Sequence, residues 1–248
     1  MIRLVLADVD GCLTAGEGRP IDLDVLAAVA EVNRSSLVDE SVPAVSLCTG
    51  RPAPYVEVLV QEIAGYRPSL FENGAGMLTM QPYGFRAHPR LDDAVVRRFR
   101  STMDDLDEAL VRTGRATWQP GKTWTATLYP ADGDVHALWL AVRDRLDERF
   151  YVDEGVECIN LMPAGIDKGS GLEWLAADMG LGLDEIAGVG DADSDLVFLE
   201  RVGLATCPAN ATARVRARVG WIAPRPFGAG VLDIIDRIVT TNRRAIAA

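Results

Sequence analysis

A chain of 248 residues is long enough for one large domain or two small ones, each with a sizeable core. Hydrophobic residues make up 48% and charged residues 25%, the balance of an ordinary soluble fold rather than a disordered or membrane-spanning chain. The formal net charge of -11 repels phosphate backbones at long range, which argues against nucleic acid as a partner and requires any anionic ligand to be drawn in locally, by a metal or a few basic groups.

The first element is a short apolar run, Ile2 to Leu6, that stops at Asp8-Val9-Asp10-Gly11. Such a run suits a central parallel strand covered on both faces. Asp22 then caps a helix with Val25, Leu26, Val29 and Val32 on one side. Pro43 to Leu47 is a second strand, ending in Cys48-Thr49-Gly50-Arg51, and a helix follows from Tyr55 to Ala64. Ser69 to Glu72 and Met77 to Met80 are strands separated by the turn signal Asn73-Gly74. This alternation predicts a parallel α/β sheet. The rhythm changes near Gln81. Leu91 to Arg112 reads as one long helix, 116–119 and 123–129 as a hairpin around Pro120-Gly121, and Val135 to Leu146 as a helix. Phe150 to Val152 and Glu157 to Met162 form a second strand pair, so the stretch is an α+β unit with an antiparallel sheet. The α/β rhythm returns with a helix from Lys168 to Met179 and a strand from Ile186 to Val189 that ends in Gly190-Asp191-Ala192-Asp193-Ser194-Asp195. A short helix from Leu196, a strand at 203–206, a helix at 211–218, a strand at 221–222 and a helix at 231–239 complete it, with a fraying tail from Thr241. The domains are therefore 1–81 with 164–248 as an α/β core, and 82–163 as an inserted α+β unit.

Four polar clusters fall at strand ends or a helix start: Asp8 with Asp10, Thr49-Gly50-Arg51, Lys168, and Asp191 with Asp195. In a doubly wound sheet such positions converge on one edge. Carboxylate oxygens from several aspartates make a hard site suited to Mg2+, and a lysine with a hydroxyl suits a phosphate. An aspartate in such a site is able to attack a phosphoryl group and form an aspartyl phosphate. Asp and Gly at a strand end also make plain turns. A calcium-loop reading fails, because the sixth positions counted with Asp8 and Asp191 as the first are Leu13 and Leu196 instead of Gly. Gly121-Lys122-Thr123 lacks the earlier glycine of a phosphate-binding loop, since Ala116 stands there. Arg51 divides between a structural ion pair and a substrate contact. The four cysteines, Cys12, Cys48, Cys158 and Cys207, are scattered, so neither a zinc site nor a disulfide framework is indicated. With no signal peptide before the first strand and no bilayer-length apolar run, the expected location is cytoplasmic, away from membranes.

Taken in order, Asp8-Val9-Asp10-Gly11-Cys12-Leu13-Thr14, Thr49-Gly50-Arg51, Asp167-Lys168-Gly169 and Gly190-Asp191 through Asp195 resemble the four motifs of the haloacid dehalogenase superfamily of phosphatases, in its Cof-like branch with a large cap inserted between the second and third motifs. The resemblance covers nearly the whole chain, and Glu72-Asn73-Gly74-Ala75 and Asn210-Ala211 also recur in that branch. It implies a Rossmann-like core with a cap, and a Mg2+-dependent hydrolysis of a small phosphate monoester such as phosphoglycolate or a sugar phosphate. Asp8 would be the nucleophile and Asp10 the general acid and base. Thr49, Gly50, Arg51 and Lys168 would hold substrate, and Asp8, Asp10, Asp191 and Asp195 the metal. Ser194 stands where Asn is common, and Cys12 where Thr is commonest, which implies shifted hydrogen bonding around the metal. A phosphomutase passing the phosphoryl group to a sugar, and a non-catalytic module binding phospho-ligands, are the other readings. The partner expected is a small phosphorylated metabolite, and a homodimer is compatible with the sequence.

Overall fold

The strand that carries the first aspartate, β1 (Leu4–Ala7), is fully buried along its length in the computed structural model, which describes all residues 1–248. Its side chains alternate between two cores. Val5 and Ala7 join one cluster, Leu4 and Leu6 the other. That division is the signature of a central strand with helices on both faces. The chain continues through α1 (Leu23–Ser35), β2 (Ala44–Leu47), α2 (Ala53–Glu62), β3 (Ser69–Phe71), β4 (Gly76–Met80) and β5 (Tyr83–Ala87). Then come α3 (Asp93–Leu106), β6 (Ala116–Trp118), β7 (Ala126–Pro130), α4 (Val135–Arg143), β8 (Phe150–Glu154) and β9 (Ile159–Pro163). The last run is α5 (Lys168–Met179), β10 (Ile186–Val189), α6 (Leu196–Leu199), β11 (Leu204–Cys207), α7 (Ala213–Arg216), β12 (Trp221–Ile222) and α8 (Phe227–Ile246).

The five-stranded sheet has the order β12-β11-β10-β1-β2, and every pairing in it is parallel. Ala7 stands opposite both Leu47 of β2 and Val189 of β10. The segments that follow, from Asp8, Cys48 and Gly190, therefore leave the sheet side by side at its carboxyl edge, where ligands of such sheets bind.

Several elements depart from the sequence reading. β3 does not extend the parallel sheet as a ladder; it opens a three-stranded antiparallel sheet of order β3-β4-β5, and beside β2 it makes the single Cys48–Leu70 bridge and takes the Leu47 amide on the Ser69 hydroxyl. The chain reverses immediately after it, at Asn73 with φ 55, and the strand hydrogen-bonds back onto itself. β5 was not expected. Its residues are mostly exposed, so it carries no clear alternation, and it forms by pairing along β4. The long helix ends at Leu106, and 107–111 widen into a π turn. The expected tail is helical to Ile246. Asn242, 2% exposed, bonds the backbone of Ile2 through both its amide atoms and also the carbonyl of Ser41, pinning the helix end to the start of the chain.

The remaining strands form an antiparallel sheet of order β6-β7-β9-β8. Leu128, Ile159 and Leu161 face α3 and α4 in a separate core with Phe99, Leu106 and Leu138. Alternation then turns Thr127, Asn160 and Met162 to the opposite face, toward the parallel sheet. The loop between β6 and β7 is longer than expected because Glu72 takes the amides of Thr123, Trp124 and Thr125 out of the ladder. No helix is long and apolar enough to cross a membrane.

Candidate active site

Three strand ends and one helix start meet at the carboxyl edge. Asp8 follows β1 and is 6% exposed. Its Oδ1 accepts the Val9 amide at 2.7 Å, and its Oδ2 lies 2.9 Å from Lys168 Nζ. Lys168 is the first residue of α5, after an Asp167 cap completed by Ser170. An ammonium at a helix N-terminus faces the positive end of the dipole. Here two carboxylates offset that placement: Asp195 Oδ1 at 2.6 Å and Asp8. Burial alone would lower the lysine pKa, but Asp195 and Asp8 outweigh it and hold it well above its ordinary value.

Asp195 is fully buried, and its other oxygen accepts the amides of Asp191 at 2.9 Å and Ala192 at 3.1 Å. A Cβ on Gly190 would strike the Asp195 side chain, so this loop closes only around glycine. Gly11 has φ 82, and a Cβ there would collide with the Asp191 carboxylate, so glycine lets the loop after β1 dock against the loop after β10. Asn210 braces the same loop, donating to the Gly11 carbonyl at 2.8 Å and accepting the Phe227 amide.

Carboxylate oxygens of Asp8, Asp191 and Asp195 lie within 4.8 Å of one another. Burial, opposed by Lys168 but aided by Asp195 and Asp191, pushes Asp8 up to about 8. Burial and then Asp195 push Asp191 up to about 6. Three carboxylates against one ammonium leave an excess of buried negative charge, which resists ionisation.

Asp10 lies apart from this trio. Arg51 grips its carboxylate in a fork, Nε to Oδ2 at 2.6 Å and Nη2 to Oδ1 at 2.7 Å, and reaches Glu17 with Nη1 at 3.0 Å. Arg51 is thus an ion-pair residue here, and the Asp10 carboxylate is not among the grouped oxygens. Thr49 is buried, with its hydroxyl oxygen accepting the Arg51 amide at 3.2 Å. Gly50 leaves room for Asn73, whose Oδ1 would be 3.0 Å from a Cβ there. Ser194 is exposed on the cleft rim, and Asp195 is held by Lys168 and backbone amides rather than by that hydroxyl. Cys12 and Cys48 are fully buried, and burial keeps both in the thiol form.

A cleft of about 780 Å3 opens beside the trio. Asn73, Lys168 and Asp193 line it from the parallel-sheet side, and Tyr151, Asn160 and Met162 from the four-stranded side. Two carboxylates that the sequence did not mark as functional join the halves. Glu72, fully buried, accepts the amides of Thr123, Trp124 and Thr125 and the Thr125 hydroxyl. Glu17 accepts Gln119 Nε2 and the Tyr129 hydroxyl, each at 2.8 Å. A single Glu beside Asn-Gly, or one in a Gly-rich loop, reads as turn chemistry, and only the opposing loop reveals what it holds. Trp124 stacks on Phe71 at the same junction, 5.6 Å between centroids. Both histidines lie elsewhere: His88 packs edge-on against Trp174, and His136 pairs with Glu154 at the surface.

The family model of the haloacid dehalogenase-like hydrolases matches residues 125–235. Phosphoglycolate phosphatase 1 of Saccharolobus solfataricus is 26% identical over 244 residues, covering 96% of each chain. Phosphoglycolate phosphatase of Thermoplasma volcanium is 28% identical, covering 95% of this chain and 98% of its own. A crystal structure from Thermoplasma acidophilum superposes with a TM-score of 0.73 at 23% identity, over 96% of this chain and 98% of that one. With its parallel sheet and its aspartate-lined carboxyl edge, the chain is similar to the haloacid dehalogenase-like hydrolases in sequence over residues 125–235 and in fold over nearly its whole length. The chain is an enzyme of the phosphatase kind.

Proposed function

We propose that this enzyme is a Mg2+-dependent phosphatase that hydrolyses a small phosphate monoester, phosphoglycolate or a sugar phosphate, through an aspartyl phosphate on Asp8. The observation that carries the reading is Lys168, buried and shared between Asp8 and Asp195 at the sheet edge. It fixes one carboxylate for attack and supplies a cation to the phosphoryl group. The names of the full-length relatives support the substrate class.

The residues fit a hard divalent cation. Their donors are all oxygen, grouped within 4.8 Å, and carry more negative charge than Lys168 offsets. Asp8 and Asp191 are the side chains that would hold it, with Asp10 contributing by its backbone carbonyl. Asp195, whose oxygens are taken by Lys168 and two amides, acts by orienting them. When bound, Mg2+ neutralises charge on the phosphoryl oxygens.

Asp8 attacks phosphorus as the ester P–O bond breaks, and Asp10 gives its proton to the departing alcohol oxygen. Asp10 then takes a proton from the water that cleaves the aspartyl phosphate, which returns Asp8 and releases phosphate. For this Asp10 must free an oxygen from Arg51. Thr49 keeps its hydroxyl proton available for a phosphoryl oxygen, and the Gly50 backbone lies beside it. The inserted segment, 82–163, is the cap, closing over the site to exclude water and select the leaving group.

The test is phosphate release from a panel of small monoesters, with and without Mg2+, by the native chain and Asp8→Asn. Metal-dependent release that Asp8→Asn abolishes is expected. Release that persists in Asp8→Asn overturns the assignment of the nucleophile.

A further inference from the structure

The chain contains 23 arginines and only two lysines, Lys122 and Lys168. Lys168 belongs to the catalytic cluster. Lys122 sits in the loop between β6 and β7, in the inserted segment, where it lines a cavity of about 440 Å3 beside α3. Its Nζ donates to Thr127 Oγ1, and Thr127 in turn donates to Asn160 Oδ1 at 2.7 Å. Asn160 lines the same cleft as Lys168 and Asn73. The ammonium therefore stands on the sheet face turned to the catalytic edge, and an ammonium has three donors of which one is used.

Lys122 forms no ion pair, although two carboxylates are near enough to influence it, Glu72 and Glu17. Both are committed to other donors. The oxygens of Glu72 hold the amides of Thr123 to Thr125. Those of Glu17 hold Arg51, Gln119 and Tyr129. A partly buried cation with unused donors and no anion of its own is costly unless a ligand supplies one. Its position says which end of the ligand. The neighbouring Gly121 lies against Pro52, next to Arg51, and Arg51 grips Asp10, the residue proposed above to protonate the leaving oxygen. Lys122 is thus beyond Asp10, on the side where the leaving alcohol extends, and Lys168 is on the side of the phosphoryl group.

We propose that Lys122 is the specificity-determining residue of the cap, holding a carboxylate on the leaving alcohol, so that the preferred substrates are phosphate monoesters of short hydroxy acids rather than of neutral sugars. The proposal rests on the phosphatase reading above. Thr127 and Asn160 orient the ammonium, and its two remaining N–H groups receive the carboxylate. A neutral leaving group would leave the partly buried cation unpaired, and that penalty is the source of the discrimination.

The experiment compares phosphoglycolate with its neutral isostere, phosphoglycolamide, in the native enzyme, Lys122→Met and Lys122→Arg. The native enzyme is expected to favour the carboxylate ester by about 10- to 100-fold in kcat/KM, the worth of a charge-assisted hydrogen bond. Lys122→Met should bring that ratio close to one, chiefly through KM, and Lys122→Arg should restore most of it. A native enzyme without preference, or a Lys122→Met enzyme that keeps it, overturns the proposal. Turnover of neither ester would count against the phosphatase reading itself. In that case the Kd values of both esters for Asp8→Asn, with and without Lys122→Met, decide the role of Lys122, since the same ratio must appear in binding or the proposal falls.

Discussion

The parallel-sheet edge and the face of the cap opposite it are both polar, but they are polar in different ways. At the sheet edge nearly every donor and acceptor is spent internally: Asp195 holds Lys168 and two amides, Asp8 holds Lys168 and the Val9 amide, and Asp10 is forked by Arg51. On the cap face Lys122 uses one donor and keeps two. A saturated network is rigid and suits chemistry common to many substrates. An unsaturated one waits for a ligand and suits choosing among them. Glu72 and Glu17 bridge the two regions, so the cap is registered on the core by carboxylates belonging to the core.

The most drastic way to break this contrast is to remove the cation at its centre. Lys168→Met leaves Asp8 and Asp195 facing each other in a buried site without a counter-charge. A loss of about 3–5 kcal/mol in stability is expected, read from denaturant melts, together with loss of turnover. Glu72→Gln is expected to cost less, about 1–3 kcal/mol, because amides of the 123–125 loop lose a charged acceptor while the core stays packed. An increase in KM should accompany it as the cap loosens, and an unchanged melt and KM would show that the Glu72 clamp does not register the cap.

The pH dependence sharpens the comparison. Burial lowers Lys122 to about 8, with Glu72, Cys158 and Glu17 opposing the shift and Arg51 adding to it. A lysine below its pKa is charged, so the charge that would hold a carboxylate is present below about pH 8 and lost above it. The ratio of kcat/KM for phosphoglycolate to that for phosphoglycolamide should therefore fall as pH rises through that range, since kcat/KM reports groups of the free enzyme. Titrations shared by both esters cancel in the ratio, and the fall should be missing in Lys122→Met. The smallest effect belongs to Ser194→Asn. Ser194 is exposed and makes none of the bonds that hold Asp195, so stability should change by less than about 0.5 kcal/mol in a thermal melt.

Much of the cluster at the carboxyl edge was legible in the chain. Asp8, Lys168, Asp191 and Asp195 each adjoin a strand end or helix start, and those boundaries follow from local apolar patterns and the Asp167 cap. Parallel strands in register then carry their ends to one edge, so short segments far apart in sequence were bound to meet. The partition of the aspartates was not legible. Asp8 and Asp10 look alike in sequence, yet one pairs with Lys168 and the other with Arg51, because the chain turns between them and points the two side chains to different neighbours. Local pattern likewise missed β5 and the helical end of α8, which exist through pairing with β4 and through Asn242 at the chain start.

The alternating α/β core, the antiparallel insert and the aspartates and lysine of the edge follow from local sequence pattern, because periodicity, caps and turn residues act over a few positions. That β3 turns away from the parallel sheet, that Glu72 and Glu17 clasp the insert, and that Lys122 donates to Thr127 with no carboxylate paired to it came from the tertiary structure. The physical reason is the same in each case. A buried charge or an unpaired backbone edge is defined by what lies across from it, and that partner is supplied by a segment tens of residues away.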